Sequence, residues 1–116
     1  MEVYEWAKIP SEEIRRGVVR RGFATPQVML VYHELAPGME IRPHRHPFEQ
    51  VVHVLSGDVV FTVDGERHVM RPGSVCRIPP DALHFIEVTG SEVALTLDVF
   101  APPRKDYAHL TKHQER

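Results

Sequence analysis

Short runs of apolar or alternating residues, each ended by a turn signal, follow one another from residue 18 to residue 100. Val28–Leu35 ends at a Pro-Gly pair, and Gln50–Leu55 ends at a Ser-Gly pair. Asp64-Gly65 separates two further runs and is a typical tight-hairpin signal. No helix-period segment is long enough to cover a parallel sheet. The pattern therefore predicts an all-β protein, either a sandwich or a small barrel. The predicted strands are Val18–Phe23, Val28–Leu35, Gln50–Leu55, Asp58–Val63, Glu66–Met70, Ser74–Ile78, His84–Val88 and Glu92–Phe100.

Three parts of the chain follow from this pattern. Residues 1–27 are predicted to be an N-terminal arm with a first strand, residues 28–103 the barrel, and residues 104–116 a charged tail that forms a short helix and then frays. Within the arm, Ile9–Ile14 fits either one helical turn capped by Ser11 or an irregular segment packed on the barrel.

Composition narrows the class of protein. The chain has 116 residues, enough for one core, and a net charge of −2, which does not favour a nucleic-acid or membrane-surface partner. Its one cysteine, Cys76, rules out an internal disulfide and fits a reducing compartment. The acidic N-terminus lacks a signal-peptide core, and no apolar run has the ~20 residues of a membrane span. We therefore expect a soluble cytoplasmic protein.

Two strands are apolar on both faces. In Val51–Leu55 and Val93–Leu95 one face can fill the barrel, but the other face also needs cover. A second sheet or a second subunit would supply that cover. We therefore expect a homodimer.

The segment before the third predicted strand carries metal-ligand chemistry. His44 and His46 are two residues apart, so in extended backbone both imidazoles point to one face. Gln50 follows four residues later with the same parity. This is half of a site for a divalent metal, and it requires at least one further ligand from elsewhere in the chain.

Two stretches of the chain carry spaced glycines, histidines and a proline. Their residues are Gly38, His44, His46, Gln50 and Gly57 in the first stretch, and Gly73, Pro79, Asp81 and His84 in the second. These stretches resemble the two motifs of the cupin family, and both the internal and the mutual spacings match. The resemblance spans Val28–Phe100. The departures are Gln50 where most cupins carry glutamate, Asp81 where glycine is usual, and Val88 where asparagine is usual.

This resemblance implies a double-stranded β-helix, or jelly-roll barrel, of two antiparallel sheets with a metal inside one end. The implied metal ligands are His44, His46, Gln50 and His84. His84 begins a strand after two prolines, where its side chain can point into the barrel mouth. Three imidazoles suit a divalent transition metal, and the ligand types leave Ni, Zn, Fe, Mn and Cu open.

The amide of Gln50 changes the charge of the implied site. A glutamate would cancel one charge of the metal, whereas a neutral amide leaves the full charge in place. Such a centre acts as a Lewis acid and prefers anionic oxygen ligands. We therefore expect a small anionic ligand or substrate.

The last predicted strand contains an acid among apolar residues. Asp98 shares one face with Phe100, and a lone buried carboxyl is costly unless it is bonded, paired or used. Arg104 follows a Pro-Pro pair and can fold back over the mouth to clamp a carboxylate. The alternative is that Asp98 and Arg104 form a structural ion pair that closes the barrel.

The stretch from Asp98 to Tyr107 also resembles the small pectin-degradation cupins. That family linearises 4,5-unsaturated uronates, so the resemblance implies an acidic-sugar substrate and ring opening with tautomerisation. Its catalytic positions correspond to Asp98, Phe100 and Arg104. Two alternatives stay open: an iron-dependent cupin dioxygenase, and a non-catalytic module that binds a small anion. The sequence contains no DNA-binding helix-turn-helix pattern, so a role in transcription would need a partner protein.

The remaining histidines and the cysteine have ordinary interpretations. By strand parity His33 can face the interior and line the site, whereas His53 lies opposite to Gln50 and is expected to pack outside. His68 is expected to be exposed, and Cys76 is expected to be a small core residue. His109 and His113 are expected to be solvated in the tail.

Overall fold

The computed structural model describes residues 1–115, in which nine strands form two antiparallel sheets. No helix among these residues is long and apolar enough to cross a membrane. The strands are β1 (Glu12–Arg15), β2 (Val18–Ala24), β3 (Met29–Leu35), β4 (Gln50–Ser56), β5 (Val59–Val63), β6 (Glu66–Met70), β7 (Val75–Ile78), β8 (His84–Val88) and β9 (Ala94–Phe100). Two 3₁₀ segments, Trp6–Lys8 and Lys105–Gln114, flank them.

The two sheets form the predicted all-β barrel. The larger sheet has the order β1-β2-β3-β9-β4-β7, and the smaller sheet has the order β6-β5-β8. An isolated antiparallel bridge between His44 and His84 joins the segment before β4 to the smaller sheet. The hairpin between β5 and β6 turns on Asp64 and Gly65, both with positive φ, as the sequence predicts.

Strict alternation in β9 places the candidate site residue Asp98 inside. Thr96, Asp98 and Phe100 are buried, whereas the residues between them are only half-buried. The main core lies between the sheets, and its members are Val18, Leu35, Met39, Val52, Val54, Val59, Phe61, Met70, Ile78, Ala82 and Ala94.

The N-terminal arm differs from both sequence-based expectations. Glu12–Arg15 is neither a helical turn nor irregular, because it pairs with β2 as an edge strand. Its two glutamates give little strand propensity, so the hydrogen-bonding edge of β2 decides its conformation. Upstream, Trp6 stacks on Tyr32 with ring centroids 5.1 Å apart and covers part of the outer face. The homodimer expected from the two strands that are apolar on both faces stays a prediction.

The C-terminal 3₁₀ segment (Lys105–Gln114) packs against β2. Leu110 is buried, and the side chain of Gln114 both donates to the carbonyl and accepts from the amide of Ala24, each at 2.8 Å. His113 hydrogen-bonds the carbonyl of Gly22 at 2.8 Å, so it is partly buried rather than solvated. The predicted short helix is present, but it does not fray over this range; residue 116 of the predicted tail lies outside the described residues.

Replacing Gly22 by alanine is expected to loosen this packing. A Cβ at Gly22 would lie 2.6 Å from the Cβ of Leu110, which is too close for any real contact. We expect Gly22→Ala to lower the free energy of unfolding by roughly 1–3 kcal/mol, the usual cost of overpacking. Thermal melting measures this. Gly90→Ala is the matched control, because its added Cβ meets no atom nearer than 4.0 Å; an equal loss in both variants would contradict the packing argument.

Candidate metal centre

Three of the predicted ligands meet at one end of the barrel. Side-chain nitrogens of His44, His46 and His84 all lie within 4.8 Å of one another. The backbone bridge between His44 and His84 holds two of them in place, with reciprocal N–H to carbonyl bonds of 3.1 and 2.9 Å. His46 and His84 are buried, whereas His44 is exposed at the mouth.

The hydrogen bonds of these imidazoles fit a metal site. The Nδ1 of His44 lies 2.9 Å from the carbonyl of Arg42, and the Nδ1 of His84 lies 2.8 Å from the carbonyl of Ala82. Each Nδ1 therefore donates its proton, which leaves the Nε2 lone pair free, as in many histidines that ligate metals. The Nε2 of His84 and the Nδ1 of His46 are buried without a partner. Burial lowers the pKa of His46, and it lowers that of His84 to about 4, which keeps both in the neutral form that metals require.

Gln50 lies between the histidines and the acid. Its Oε1 is 3.0 Å from the Nε2 of His46, and its Nε2 donates to the Oδ2 of Asp98 at 3.0 Å. The amide therefore turns its oxygen towards His46 and its N–H towards the carboxyl. Its role as a ligand stays a prediction.

Asp98 is a buried acid beside this cluster. Burial raises its pKa to about 7, against the opposing effects of the Arg104 charge and the Gln50 hydrogen bond. The Nδ1 of His33 lies 3.4 Å from the Asp98 carboxyl, so His33 does line the site. Burial and the nearby Arg20 lower the pKa of His33 to about 3, so His33 is neutral beside Asp98.

Arg104 is buried against aromatic rings. Its guanidinium carbon lies 4.7 Å from the ring centre of Phe48, 5.0 Å from that of Phe100 and 3.8 Å from that of Tyr107. Its Nε and one Nη donate to the two carboxylate oxygens of Asp106, at 3.2 and 2.7 Å. Within the described residues no ion pair joins Arg104 to Asp98, so the alternative in which that pair closes the barrel is wrong. The carboxylate clamp stays a prediction.

The departure at Asp81 has a backbone explanation. Asp81 has a φ of 64°, the left-handed region that glycine occupies without strain and that Asp tolerates better than most residues. Its N–H donates to the carbonyl of His46 at 2.7 Å. The unusual turn therefore connects the second motif to a predicted ligand of the first.

Several side chains of this site, His33, His44, Gln50, His84 and Asp98, line a cavity of about 80 Å³. It is smaller than the pockets that enclose drug-sized ligands, so it suits a small ligand or one end of a larger one. Sequence reasoning missed several of its residues, among them Arg15 and Tyr107. Neither has a local signal, because Arg15 belongs to a strand set by pairing and Tyr107 belongs to the C-terminal segment. As predicted, His68 is exposed; His53 is half-buried on the face of β4 opposite to Gln50.

The metal-free protein should show the burial of Asp98 as a pH effect on stability. An Asp whose pKa is raised binds more protons when folded, so its contribution to stability is lost as pH rises from about 4 to about 7. We expect Asp98→Asn to gain roughly 2–3 kcal/mol relative to wild type between pH 5 and pH 8. The lowered pKa values of His33 and His84 make stability rise with pH. Both histidines are present in wild type and in Asp98→Asn, so their contributions cancel in the difference. Urea unfolding at both pH values measures it; an equal difference at pH 5 and pH 8 would refute the raised pKa.

Comparison with known families gives the decisive observation. Residues 31–100 match the family described as Cupin domain. The chain belongs to the cupin family. The resemblance seen in the two motifs is thereby confirmed, and the match covers the strands that carry Gln50, His84 and Asp98.

The similar proteins of this cupin differ in activity. The dimethylsulfoniopropionate lyase DddW of Ruegeria pomeroyi is 36% identical over 74 residues, which are 62% of this chain and 49% of the lyase, so the chain spans about half the length of that relative. The structure of KdgF from Halomonas has a TM-score of 0.81 at 24% identity, covering 91% of this chain and 97% of KdgF. The polyketide cyclase RemF from Streptomyces resistomycificus has a TM-score of 0.76 at 20% identity, covering 90% of this chain and 82% of the cyclase. Together with the family match, these likenesses support a small-molecule cupin, and the two structures, at 24% and 20% identity, show the fold alone.

Proposed function

We propose that this cupin is a metal-dependent enzyme that opens and tautomerises 4,5-unsaturated uronates. One observation carries the proposal: a buried acid, Asp98, is hydrogen-bonded to Gln50, which in turn contacts His46 of the three-histidine cluster. A group able to move a proton is thus built into the wall of the cavity that His44 and His84 also line. The resemblance of the last strand and its Arg104 extension to the pectin-degradation cupins supplies the substrate class.

The proposed ligands are His44, His46, Gln50 and His84, and they fit a divalent transition metal such as Ni, Zn, Fe or Mn. When bound, the metal would supply Lewis-acid polarisation of a substrate oxygen. The other proposed residues work around it. Phe100 is a buried wall of the cavity, and the positive charge of Arg104 favours the ionised form of Asp98.

The reaction is an isomerisation, so it needs no second reactant. The bond from C1 to the ring oxygen breaks. The C1 hydroxyl loses a proton, so C1 becomes an aldehyde, and the ring oxygen gains a proton and becomes an enol hydroxyl. The enol then becomes a ketone when C4 gains a proton and the enol oxygen loses one. We assign these proton transfers to Asp98, because it is a buried carboxyl on the cavity wall and a carboxyl can both accept and donate a proton.

An assay on the unsaturated monomer tests the proposal. Purified protein loaded with Ni, Zn, Fe or Mn in turn is incubated with unsaturated galacturonate, and the loss of alkene absorbance is followed. We expect faster loss than in buffer with the same metal. No acceleration by any of the four confirmed metal-loaded forms would overturn the uronate assignment.

The lyase relative favours a second candidate, cleavage of dimethylsulfoniopropionate. Its sequence identity of 36% is the highest of the three reported above, although the match covers only about half of the lyase. The same acid, Asp98, would then remove a proton from a small carboxylate substrate. Release of dimethyl sulfide, without loss of unsaturated galacturonate, would favour this candidate.

The proposal also includes a homodimer in the cytoplasm. Its support is the apolar surface that stays open on the monomer, where Val75 is 62% and Val69 is 53% exposed, and the single free Cys76. Light scattering during gel filtration tests the dimer: a mass near 13.3 kDa would contradict it.

A further inference from the structure

The wall of the cavity formed by β1 and β2 carries positive charge that the proposed chemistry does not use. Arg15 lines the cavity together with His33, His44 and Tyr107. Its Nε donates to the carbonyl of Glu40 at 3.0 Å, and its two terminal nitrogens have no hydrogen-bond partner in residues 1–115. A guanidinium with two free N–H edges on a cavity wall is suited to receive an anionic oxygen.

A second arginine lies next to this wall. Its guanidinium carbon is 4.4 Å from the ring centre of Tyr107, but its hydrogen bonds are incomplete. Arg20 is only 8% exposed, and its Nε is buried without a partner. Its one carboxylate neighbour, Glu12, is at the limit of hydrogen bonding, 3.5 Å away, and also contacts His109 at 2.9 Å. A buried guanidinium with an unsatisfied N–H is costly, so an anion nearby would stabilise it.

The charges near Arg15 repel one another. Burial lowers the pKa of the Arg15 guanidinium, and the neighbouring positive charges of Arg42 and Arg20 lower it further, while Glu40 raises it in part. Arg42 is itself paired with Glu40 at 2.6 Å, so Arg20 is the neighbouring positive charge that this pair does not offset. An anion bound there would remove part of this repulsion.

The arginine expected to clamp a carboxylate is already engaged. Asp106 occupies the Nε and one Nη of Arg104, which is the bidentate geometry that a substrate carboxylate would need. Arg15 has no such partner among the residues that the structure describes. Of the two guanidinium groups, Arg15 is the one that is free to bind a carboxylate.

Arg15 and two of the cluster histidines face the same cavity. Arg15, His44 and His84 all line this space of about 80 Å³, and so do Gln50 and Asp98. A volume of that size takes one end of a sugar rather than the whole ring. Because one small space touches both Arg15 and the histidines, the end of a single bound sugar can contact both.

We propose that Arg15, supported by Arg20, binds the carboxylate of the substrate at the β1–β2 wall while the sugar oxygens face the histidine cluster. The proposal rests on the proposed function in one respect, that the ligand is an acidic sugar. It assigns the specificity for acidic over neutral sugars to Arg15 and Arg20 rather than to Arg104.

Calorimetric titration with saturated D-galacturonate tests this assignment, because that sugar acid has no alkene and is not turned over. We expect metal-loaded wild type to bind it at least roughly 10-fold more tightly than D-galactose, and Arg15→Gln to lose about that factor. Arg15→Lys should keep the charge and most of the affinity, and Arg20→Lys should weaken binding less than Arg15→Gln. The matched control is Arg16→Gln, since Arg16 is outside the cavity lining and donates to the carbonyl of Gly38 at 3.2 Å.

Several results would overturn the subsite. These are equal binding of galacturonate and galactose by wild type, unchanged galacturonate binding in Arg15→Gln, or an equal loss for both sugars in that variant. A loss in Arg104→Gln without one in Arg15→Gln would return the carboxylate to Arg104. Melting curves and metal content establish that each variant is folded and loaded. If galacturonate binding depends on Arg15 but unsaturated galacturonate is not turned over, the proposed function fails while the subsite stands.

Discussion

His84→Ala is expected to lose metal almost completely while the barrel stays folded. The substitution removes one of three imidazoles whose nitrogens lie within 4.8 Å of one another. Because changing even a group that supports a ligand costs 10–100-fold in metal affinity, losing a ligand should cost at least about 100-fold. The backbone bridge of His84 to His44 does not depend on the side chain, and the variant also removes a buried nitrogen without a partner.

Elemental analysis after gel filtration measures the metal, and a melting curve reports the fold. His68→Ala is the matched control, because that histidine is exposed on β6, where its Nε2 lies 2.6 Å from the Oε1 of Glu66. We expect the control to keep its metal. Stoichiometric metal in His84→Ala would show that the ligand set is wrong, even if the protein is fully folded.

Asp98→Asn is expected to lower kcat on unsaturated galacturonate by about 10²–10⁴-fold, the usual contribution of a positioned acid–base group. The amide keeps the size of the side chain and can still accept from the Nε2 of Gln50, but it cannot exchange a proton at neutral pH. KM should change much less than kcat, because substrate binding is assigned to other groups.

The same variant separates an enzyme from a binding module. A module that only holds a small anion would show no turnover in wild type and nearly equal ligand affinity in Asp98→Asn. Metal content must be measured alongside, since Asp98 contacts the predicted ligand Gln50. A kcat within 10-fold of wild type, with metal retained, would remove Asp98 from the proton transfers.

Most strands were predictable because their signals are local. Alternation in β9 places Thr96, Asp98 and Phe100 inside, and the positive φ at Asp64 and Gly65 was expected from those two residue types in a tight hairpin. Strand β1 was not predictable in this way. Its charged residues are held by pairing with β2, and no local pattern reports a partner that lies elsewhere.

The candidate site also has a part that local patterns predict and a part that only the folded structure shows. The common face of His44, His46 and Gln50 could be predicted because extended backbone places alternate residues on one face. The sequence does not show which groups already have partners. Only the packed structure shows that Asp106 engages Arg104, and that Arg15 lines the cavity without a partner for its terminal nitrogens.

Turns and side-chain parity depend on near neighbours in the chain. The all-β barrel, the two motifs and the residue types available for a metal could therefore be predicted from the sequence alone. The tertiary structure decided how those residues meet: the contact from His46 through Gln50 to Asp98, the packing of the C-terminal segment, and the positive wall at Arg15. Such contacts join residues far apart in the chain. Burial and partner choice set their charge state, and both depend on the whole fold.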